Sequence, residues 1–386
     1  MKHSFWLISL LVLASVAIQI GSCAYKQGVA PVDYTIRLRW IKSYESESWS
    51  DVRTGLIWSF SYLGAALPAG SFDAAVARAD SSHFTLDCAK IGFSGQALAA
   101  ILPMLEQMRQ SDEYPRMGGI DLGRFLMFVQ QSSWHYYALT GVPETVQAFE
   151  QQYFQNGVLH FRLSKSGVAR QQRLIRYAKP QTYSRLAFVG EEGSGQFEDN
   201  SFSPLGHETI DLMPNGQLRF GIYDKAGNLK AAADTVYTLG GKPGKCQWCH
   251  EKSVLPLYFP SVDFAGSLTR AEFLQDVAQA QALIDAFRST LHTDITYQNP
   301  QDHRFAELLT ICFLEPSARR LALEWGISQA DAELKLAGIP THGYAEYPFL
   351  GQLYHRAEVA HLAPFSSVEV PESAREPSVY EPDVVR

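Results

Sequence analysis

The hydrophobic periodicity of the chain changes twice, and this change limits the fold more than any other feature of the sequence. From about residue 30 to residue 150, apolar residues recur at three- and four-residue spacing, as in DVRTGLIWSFSYLGAAL and SGQALAAILPMLEQMRQ, which is typical of helices. From residue 158 to about residue 239 they alternate, as in VLHFRL, RLIRYA and RLAFVG, which is typical of strands. Helical spacing returns after residue 263. The sequence therefore predicts an α+β fold, with a central antiparallel sheet flanked by N- and C-terminal helical segments.

Five segments follow from this pattern. They are a signal peptide at 1–22, a mainly helical region at 23–150, an antiparallel sheet at 151–262, a helical region at 263–365 and a flexible tail at 366–386. HETIDLMPNGQLRFGIYDKAGNLKAA predicts a three-strand meander with turns at 214–216 and 225–227. Thr269 and Glu272 have the spacing of a capping box at the start of a long helix. The tail is predicted from prolines scattered among acidic residues.

The N-terminus, MKHSFWLISLLVLASVAIQIGSCAYK, begins with Lys2 and His3, continues with an apolar run and ends in small residues. This order is that of a secretory signal peptide. The apolar run of about 16 residues is shorter than the roughly 20 that a membrane span needs. A retained anchor helix is the alternative interpretation. Export from the cytoplasm is the prediction.

Four residues at the end of the run, Ile20-Gly21-Ser22-Cys23, resemble the lipobox of bacterial lipoproteins. The likeness departs from the commonest form at Ile20, where Leu is commoner, and at Ser22, where Gly or Ala is commoner. The resemblance implies that Cys23 is diacylated and becomes the first residue of the mature chain. The acyl chains would then attach the protein to the membrane on the periplasmic side of a bacterial cell envelope. Ordinary signal cleavage nearby is the alternative.

Composition and local motifs exclude several classes of function. The formal net charge of −7 leaves no basic excess to neutralise phosphates, so no nucleic-acid partner is expected. FVGEEGSGQFEDN has the glycines of a phosphate loop, but it carries acids and lacks the P-loop Lys and Ser/Thr. ARRLALEWGISQADAELKLAG resembles a helix-turn-helix, with Gly326 ending one helix and Ser328 capping the next. In an exported acidic protein this pattern predicts a helical hairpin.

The segment GKCQWCHEKSV follows the predicted sheet and contains C-x-x-C-H, formed by Cys246, Cys249 and His250. Two thiols at this spacing can reach the two vinyl groups of a porphyrin and form thioethers, and the adjacent imidazole can ligate the iron. The motif resembles that of c-type cytochromes over about a dozen residues. This resemblance implies one covalent haem c, with Cys246 and Cys249 as attachment sites and His250 as proximal ligand. Predicted export agrees with it.

Three other interpretations of the motif compete with haem. A Cys246–Cys249 disulfide is consistent with an oxidising compartment. A redox-active C-x-x-C of the thioredoxin type is disfavoured, because the preceding strands look antiparallel rather than part of a βαβ unit. Zinc is disfavoured because no second ligand pair accompanies the motif. The pattern leaves open whether Cys88 and Cys312 pair.

The distal ligand of such a haem is not fixed by the sequence. Small cytochromes place a Met well downstream of the motif, whereas this chain has no Met after Met213. A distal His would give a low-potential electron carrier, and an open distal face would admit NO, peroxide or hydroxylamine. The strands before the motif also have a weak likeness to β-sheet cytochromes whose haem is cross-linked to lysine, but no such Lys can be mapped. The candidate distal histidines are His135, His207, His292, His303, His342, His355 and His361.

The sequence thus predicts an envelope-anchored c-type haem lipoprotein in electron transfer or small-molecule redox chemistry, with a redox partner protein if it is a carrier. The alternative is a non-catalytic envelope lipoprotein that binds a partner or ligand and carries Cys246–Cys249 as a disulfide.

Overall fold

The structure is a computed structural model that describes residues 32–155, 157–164, 166–251, 253–254 and 262–386. The predicted signal peptide at 1–22 and the predicted lipidation site, Cys23, lie outside the described residues. Within the described ranges, no helix combines the length and the apolar character needed to cross a bilayer.

The predicted α+β class is confirmed, with two sheets and helices on both sides of them in the sequence. The strands are β1 (Thr35–Arg39), β2 (Val76–Arg78), β3 (His83–Asp87), β4 (Ile120–Asp121), β5 (Val158–Leu163), β6 (Arg173–Ala178), β7 (Ala187–Ser194), β8 (Ser203–Leu212) and β9 (Leu218–Asp224). The α-helices are α1 (Trp49–Tyr62), α2 (Ser71–Ala75), α3 (Gly95–Gln110), α4 (Glu113–Met117), α5 (Leu122–Val129), α6 (Ser133–Thr140), α7 (Val146–Tyr153), α8 (Pro243–His250), α9 (Arg270–Ser289), α10 (Arg304–Leu314), α11 (Ala318–Trp325), α12 (Gln329–Leu336) and α13 (Arg356–Val359). Short 3₁₀ turns lie at Pro300–His303, Pro348–Leu350 and Ala360–Leu362.

The N-terminal region contains a four-stranded sheet, ordered β2-β3-β1-β4, that the sequence analysis did not predict. β1 pairs antiparallel with β3 and parallel with β4. Its inward residues, among them Ile36 and Leu38, are fully buried with the helices of this region. β2 and β4 are only three and two residues long, whereas β1 (TIRLR) and β3 (HFTLD) alternate polar and apolar residues over five positions, a strand signal that the helical spacing around them outweighs.

The five-stranded antiparallel sheet, ordered β5-β6-β7-β8-β9, runs through residues 158–224. Its strands coincide with the predicted ones, except that the third strand of the predicted meander is only a single bridge between Tyr223 and Leu229. One face packs against α9, where the Phe161 and Phe273 rings stack with centroids 4.2 Å apart. The opposite face contributes Val189 to the large N-terminal core.

The helix caps that the sequence predicts at three positions are confirmed. Thr269 and Glu272 form the capping box of α9. Gly326 ends α11 in the left-handed region, and Ser328 caps α12 by accepting from the Asp331 N–H, which completes the predicted hairpin.

The segment 366–386 makes contacts that its composition does not suggest. Val368 and Ala374 are buried. The Ser132 hydroxyl donates to the Pro382 carbonyl at 2.5 Å, and the Val384 N–H donates to Nε2 of His135 at 3.1 Å. The segment therefore packs along α6 and, as described below, along α8.

Candidate functional site

The C-x-x-C-H motif lies on α8, which begins at Pro243 and ends at His250. Proline is favoured in this first position because its missing N–H would have no helical partner there. Residues three and four apart share one side of a helix, so Cys246, Cys249 and His250 project from the same face. The motif residues are thus brought together by the helical spacing itself.

The opposite face of α8 is packed tightly. A Cβ on Gly244 would lie 2.2 Å from Oε1 of Gln131 and 2.3 Å from the carbonyl of Ala374, so only glycine fits there. The buried Gln247 accepts a hydrogen bond from the Gln130 amide at 3.1 Å. These contacts hold the helix between the α5–α6 turn and the C-terminal segment.

Lys242, immediately before α8, is a buried cation. Its ammonium group donates to the Ser373 carbonyl at 3.0 Å and forms an ion pair with Glu381. Burial lowers the pKa of Lys242, and the Glu381 carboxylate opposes that shift. The pair attaches the start of the motif helix to the C-terminal segment.

A cavity of about 900 Å³, measured out to its mouth, lies between α8, α9 and one face of the five-stranded sheet. Only about 90 Å³ of it is cavity in the ordinary sense and the rest is open to solvent, so the enclosed part is smaller than the roughly 300–1,000 Å³ that is typical of small-molecule and cofactor sites. Strand alternation and register place Ile175, Phe188, Ile210 and Phe220 on the sheet face that lines it. Further apolar lining residues are Val168, Leu239, Val254, Phe273 and Val277, and the polar ones include Arg173, Glu208, Lys245, Cys246, Cys249 and His250.

His250 faces this cavity in a defined tautomer. Its Nδ1 lies 3.2 Å from the Ser253 carbonyl, which can only accept a hydrogen bond, so Nδ1 carries the proton. Burial lowers the pKa of His250 while the Ser253 carbonyl raises it, and the ring is therefore neutral near pH 7. Nε2 then has the lone pair, which is the form of imidazole that binds metals. The Phe220 ring packs beside it at 5.5 Å between centroids.

The two motif cysteines differ in their environment. Cys246 is half-buried against the sheet core, whereas Cys249 is exposed at the mouth of the cavity. Burial raises the pKa of Cys246, and the nearby Glu208 carboxylate adds to this shift. A redox-active C-x-x-C instead lowers the pKa of its nucleophilic thiol. All cysteines in the described ranges are free thiols in the structure, Cys88 and Cys312 included.

A cluster of charged side chains forms the polar end of the cavity, and the sequence analysis did not find it. The guanidinium of Arg173 contacts Glu192 through Nη1 and Glu208 through Nη2, each at 2.9 Å. Burial raises the pKa of Glu192 well above its usual range; Arg173 opposes this shift and Glu208 reinforces it. Arg173 and Glu208 line the cavity itself, whereas Glu192 lines a smaller neighbouring pocket. In the sequence, the only indication of this cluster was an acidic residue at a strand position that faces the interior.

Several candidate distal histidines are engaged elsewhere. Nδ1 of His135 donates to the Phe128 carbonyl at 2.7 Å and its Nε2 accepts from the C-terminal segment. His207 lies on the sheet face opposite the cavity, with its Nδ1 3.6 Å from Glu191. His303 lies 3.3 Å from Glu251, the residue after the motif.

The remaining candidates lie away from the cavity as well. His342 pairs with Glu315 at 2.8 Å and stacks on His355, and His292 and His361 are exposed at the surface. Met213 is buried at the far end of the sheet, beside Gly64. Of the described histidines, only His250 lines the cavity.

Comparison with known proteins gives no match. No protein-family model matches the chain, no curated protein is significantly similar to it in sequence, and no solved structure is significantly similar to it in fold.

Proposed function

We propose that this protein is an envelope-anchored c-type haem lipoprotein, with Cys246 and Cys249 as thioether sites and His250 as the axial ligand. The observation that carries the proposal is the position of the motif. All three residues lie on the one face of α8 that borders a mainly apolar cavity, and Nδ1 of His250 lies within hydrogen-bond distance of the Ser253 carbonyl. A lipid anchor at Cys23 would place this site on the periplasmic side of the membrane.

The residues that line the cavity fit a haem in their chemistry. The sheet and α9 provide apolar and aromatic side chains, among them Phe188, Phe220 and Phe273, which suit the faces of a porphyrin. Lys245 lines the cavity and pairs with the exposed Glu376, so it is a cation at the cavity edge that suits the carboxylates of a haem. The Nδ1 hydrogen bond to Ser253 orients the His250 ring and increases its basicity toward a metal.

We favour small-molecule redox chemistry over simple electron transfer, because none of the described candidate distal histidines lines the cavity. When bound, a haem would supply a redox-active iron, and His250 is the residue that would hold it. Arg173 and Glu208 line the same cavity, and Glu192, whose pKa is raised by burial, contacts Arg173. This cluster provides charged groups beside the place where a small ligand would bind.

The test is covalent haem attachment in the mature chain, exported in a host that has the attachment machinery. After denaturation, the pyridine haemochrome spectrum of the wild type should show one thioether-linked haem per chain. The double variant Cys246→Ala/Cys249→Ala should lose it, whereas the control Cys312→Ala, which changes a buried cysteine outside the cavity, should retain it. A folded, exported wild type without covalent haem would contradict the proposal.

The second candidate function is a non-catalytic lipoprotein that binds an apolar ligand or a partner, with Cys246 and Cys249 oxidised to a disulfide. The apolar cavity is the observation that supports it. It predicts no haem and a thiol titration that increases by two groups per chain after reduction. The haem proposal predicts no such increase, because both sulfurs are already thioethers.

A further inference from the structure

Three metal-ligating side chains lie together on the surface, away from the cavity. One ligand atom from each of Glu315, His342 and His355 lies within 4.8 Å of the other two. Oε2 of Glu315 is 2.8 Å from Nε2 of His342, and the His342 and His355 rings stack with centroids 4.1 Å apart and planes 13° apart. Glu315 and His342 are half-buried, and His355 is exposed. Two imidazoles and a carboxylate are a ligand set suited to zinc and similar transition metals.

Backbone hydrogen bonds fix two of the segments that carry these side chains. His342 and Leu353 exchange both of their N–H···O=C bonds, at 3.0 and 2.9 Å, which closes a loop with His355 two residues further on. The Thr341 hydroxyl donates to the Gln352 side chain at 2.9 Å on the same loop. The loop therefore delivers both histidines from one rigid turn.

The third segment is joined to this loop at the end of α10. The Tyr354 N–H donates to the Pro316 carbonyl at 3.0 Å, one residue after Glu315. On the other side of His355, the buried Arg356 donates to the Phe313 carbonyl at 2.8 Å and pairs with Glu324. Both neighbours of His355 are thus tied to the core or to the segment that carries Glu315. An ordinary surface ion pair needs no such support, whereas a ligand set does.

We propose that Glu315, His342 and His355 form a binding site for a divalent transition metal of the zinc type. Bond lengths of about 2.0–2.2 Å place tetrahedral ligand atoms roughly 3.4 Å apart, so the exposed His355 ring moves inward by about an ångström and unstacks. Three protein ligands leave a fourth position for water, which is the composition of open zinc sites. The site is independent of the haem proposal, since none of its residues lines the cavity.

The experiment is Zn²⁺ titration by calorimetry on the mature chain in the Cys246→Ala/Cys249→Ala background, which removes the motif thiols. In this background, the protein with Glu315, His342 and His355 unchanged should bind one Zn²⁺ per chain. His342→Ala and His355→Ala should each weaken binding by about 100-fold or more, since loss of an outer-sphere partner alone costs about 10–100-fold. The matched control is His361→Ala, an exposed histidine on the neighbouring 3₁₀ turn, which should bind as before.

His355→Ala removes an exposed ring, so its folding should be unaffected and its loss of binding is interpretable. Cu²⁺ provides a second readout, because its electron paramagnetic resonance spectrum should show coupling to two nitrogens that falls to one in either variant. Equal Zn²⁺ affinity in His342→Ala, His355→Ala and His361→Ala would overturn the proposal, as would a wild type that binds no Zn²⁺.

Discussion

Two of the buried charge clusters among the described residues are built differently. In the first, Glu324 accepts from three guanidinium groups, those of Arg124, Arg320 and Arg356, at 2.6 to 3.0 Å. In the second, Arg173 is shared by Glu192 and Glu208. The first brings three cations to one carboxylate and has Glu113 and Asp121 as further acids, whereas the second brings two acids to one cation.

The electrostatics of the two clusters differ accordingly. Burial by itself would raise the pKa of Glu324, but the three arginines outweigh it and hold that pKa well below its usual range. Burial raises the pKa of Glu192, and the single arginine does not reverse the shift. The Glu324 cluster joins α5, α11 and α13, which is the pattern of a structural network, although Arg124 and Arg356 also line an open surface pocket. In the second cluster, Arg173 and Glu208 line the cavity beside α8, and a raised pKa such as that of Glu192 is common at functional sites.

The largest effect should come from Glu324→Gln. This change removes the carboxylate that pairs with Arg356, while Arg320 and Arg124 keep Asp121 and Glu113. Breaking a buried ion pair costs about 3–5 kcal/mol. The free energy of unfolding, measured with urea, should fall by at least that amount. Glu333→Gln, at an exposed position of α12, is the control and should change it by less than about 0.5 kcal/mol. Equal stability of the two variants would remove the distinction between the clusters.

An intermediate effect is expected for Glu381→Gln, which tests whether α8 is held as rigidly as the Glu324 network. The change leaves the buried Lys242 ammonium without its carboxylate and should cost about 2–3 kcal/mol, less than a full pair because Lys242 can release its proton. Glu376→Gln is matched to it, since Glu376 pairs with the neighbouring Lys245 but is exposed, and should cost under about 1 kcal/mol. If Glu381→Gln left the free energy of unfolding unchanged, residues 366–386 would not hold α8 in place.

The smallest effect should be that of Glu192→Gln. Burial raises the pKa of Glu192 well above its usual range and so favours its neutral form, which an amide of nearly the same shape replaces. The free energy of unfolding should change by less than about 1 kcal/mol, the size of one hydrogen bond. A loss comparable to that of Glu324→Gln would show that Glu192 is ionised and that the two clusters are alike.

The stabilities of Glu192→Gln and Glu324→Gln, each measured relative to the wild type, should change with pH in opposite directions. The pKa of Glu192 is raised in the folded state, so its contribution is complete below the unfolded pKa of about 4.3 and is lost as pH rises through the folded value. Glu192→Gln should therefore gain stability relative to the wild type as pH increases from 5 to 9. The pKa of Glu324 is lowered, so its contribution is present above about 4.3 and is lost in acid. The cost of Glu324→Gln should shrink between pH 7 and pH 3, and parallel profiles would contradict this account.

Elements with a long, uniform pattern were predictable from the sequence, and short ones were not. β6 alternates between buried and half-buried positions over all six residues, and α9 begins at the capping box of Thr269 and Glu272. In the N-terminal sheet, β1 (TIRLR) and β3 (HFTLD) also alternate, but only over five residues within a region of helical spacing, and β2 and β4 are too short to show a period. The packing of residues 366–386 depends on side chains far away in the sequence, such as Lys242 and His135, which no local pattern reveals.

The motif residues of the candidate site were predictable from the sequence, but the charged residues near them in the sheet were not. Cys246, Cys249 and His250 are adjacent in the sequence, so their spacing alone indicates their chemistry. Arg173, Glu192 and Glu208 come from three strands and meet only because the register of β6, β7 and β8 aligns them. The one indication in the sequence was that these three residues are charged although they lie in strands rich in apolar residues. That observation does not indicate which face of the sheet they occupy.

The central claim is that the cavity beside α8 holds a covalent haem whose iron is bound by His250 and is open on its other side. The most direct measurement is the visible spectrum of the reduced, folded, exported protein before and after the addition of carbon monoxide. The account predicts a haem that denaturation does not release and a spectrum that carbon monoxide shifts. A chain without haem, or a haem whose spectrum carbon monoxide leaves unchanged, would contradict it.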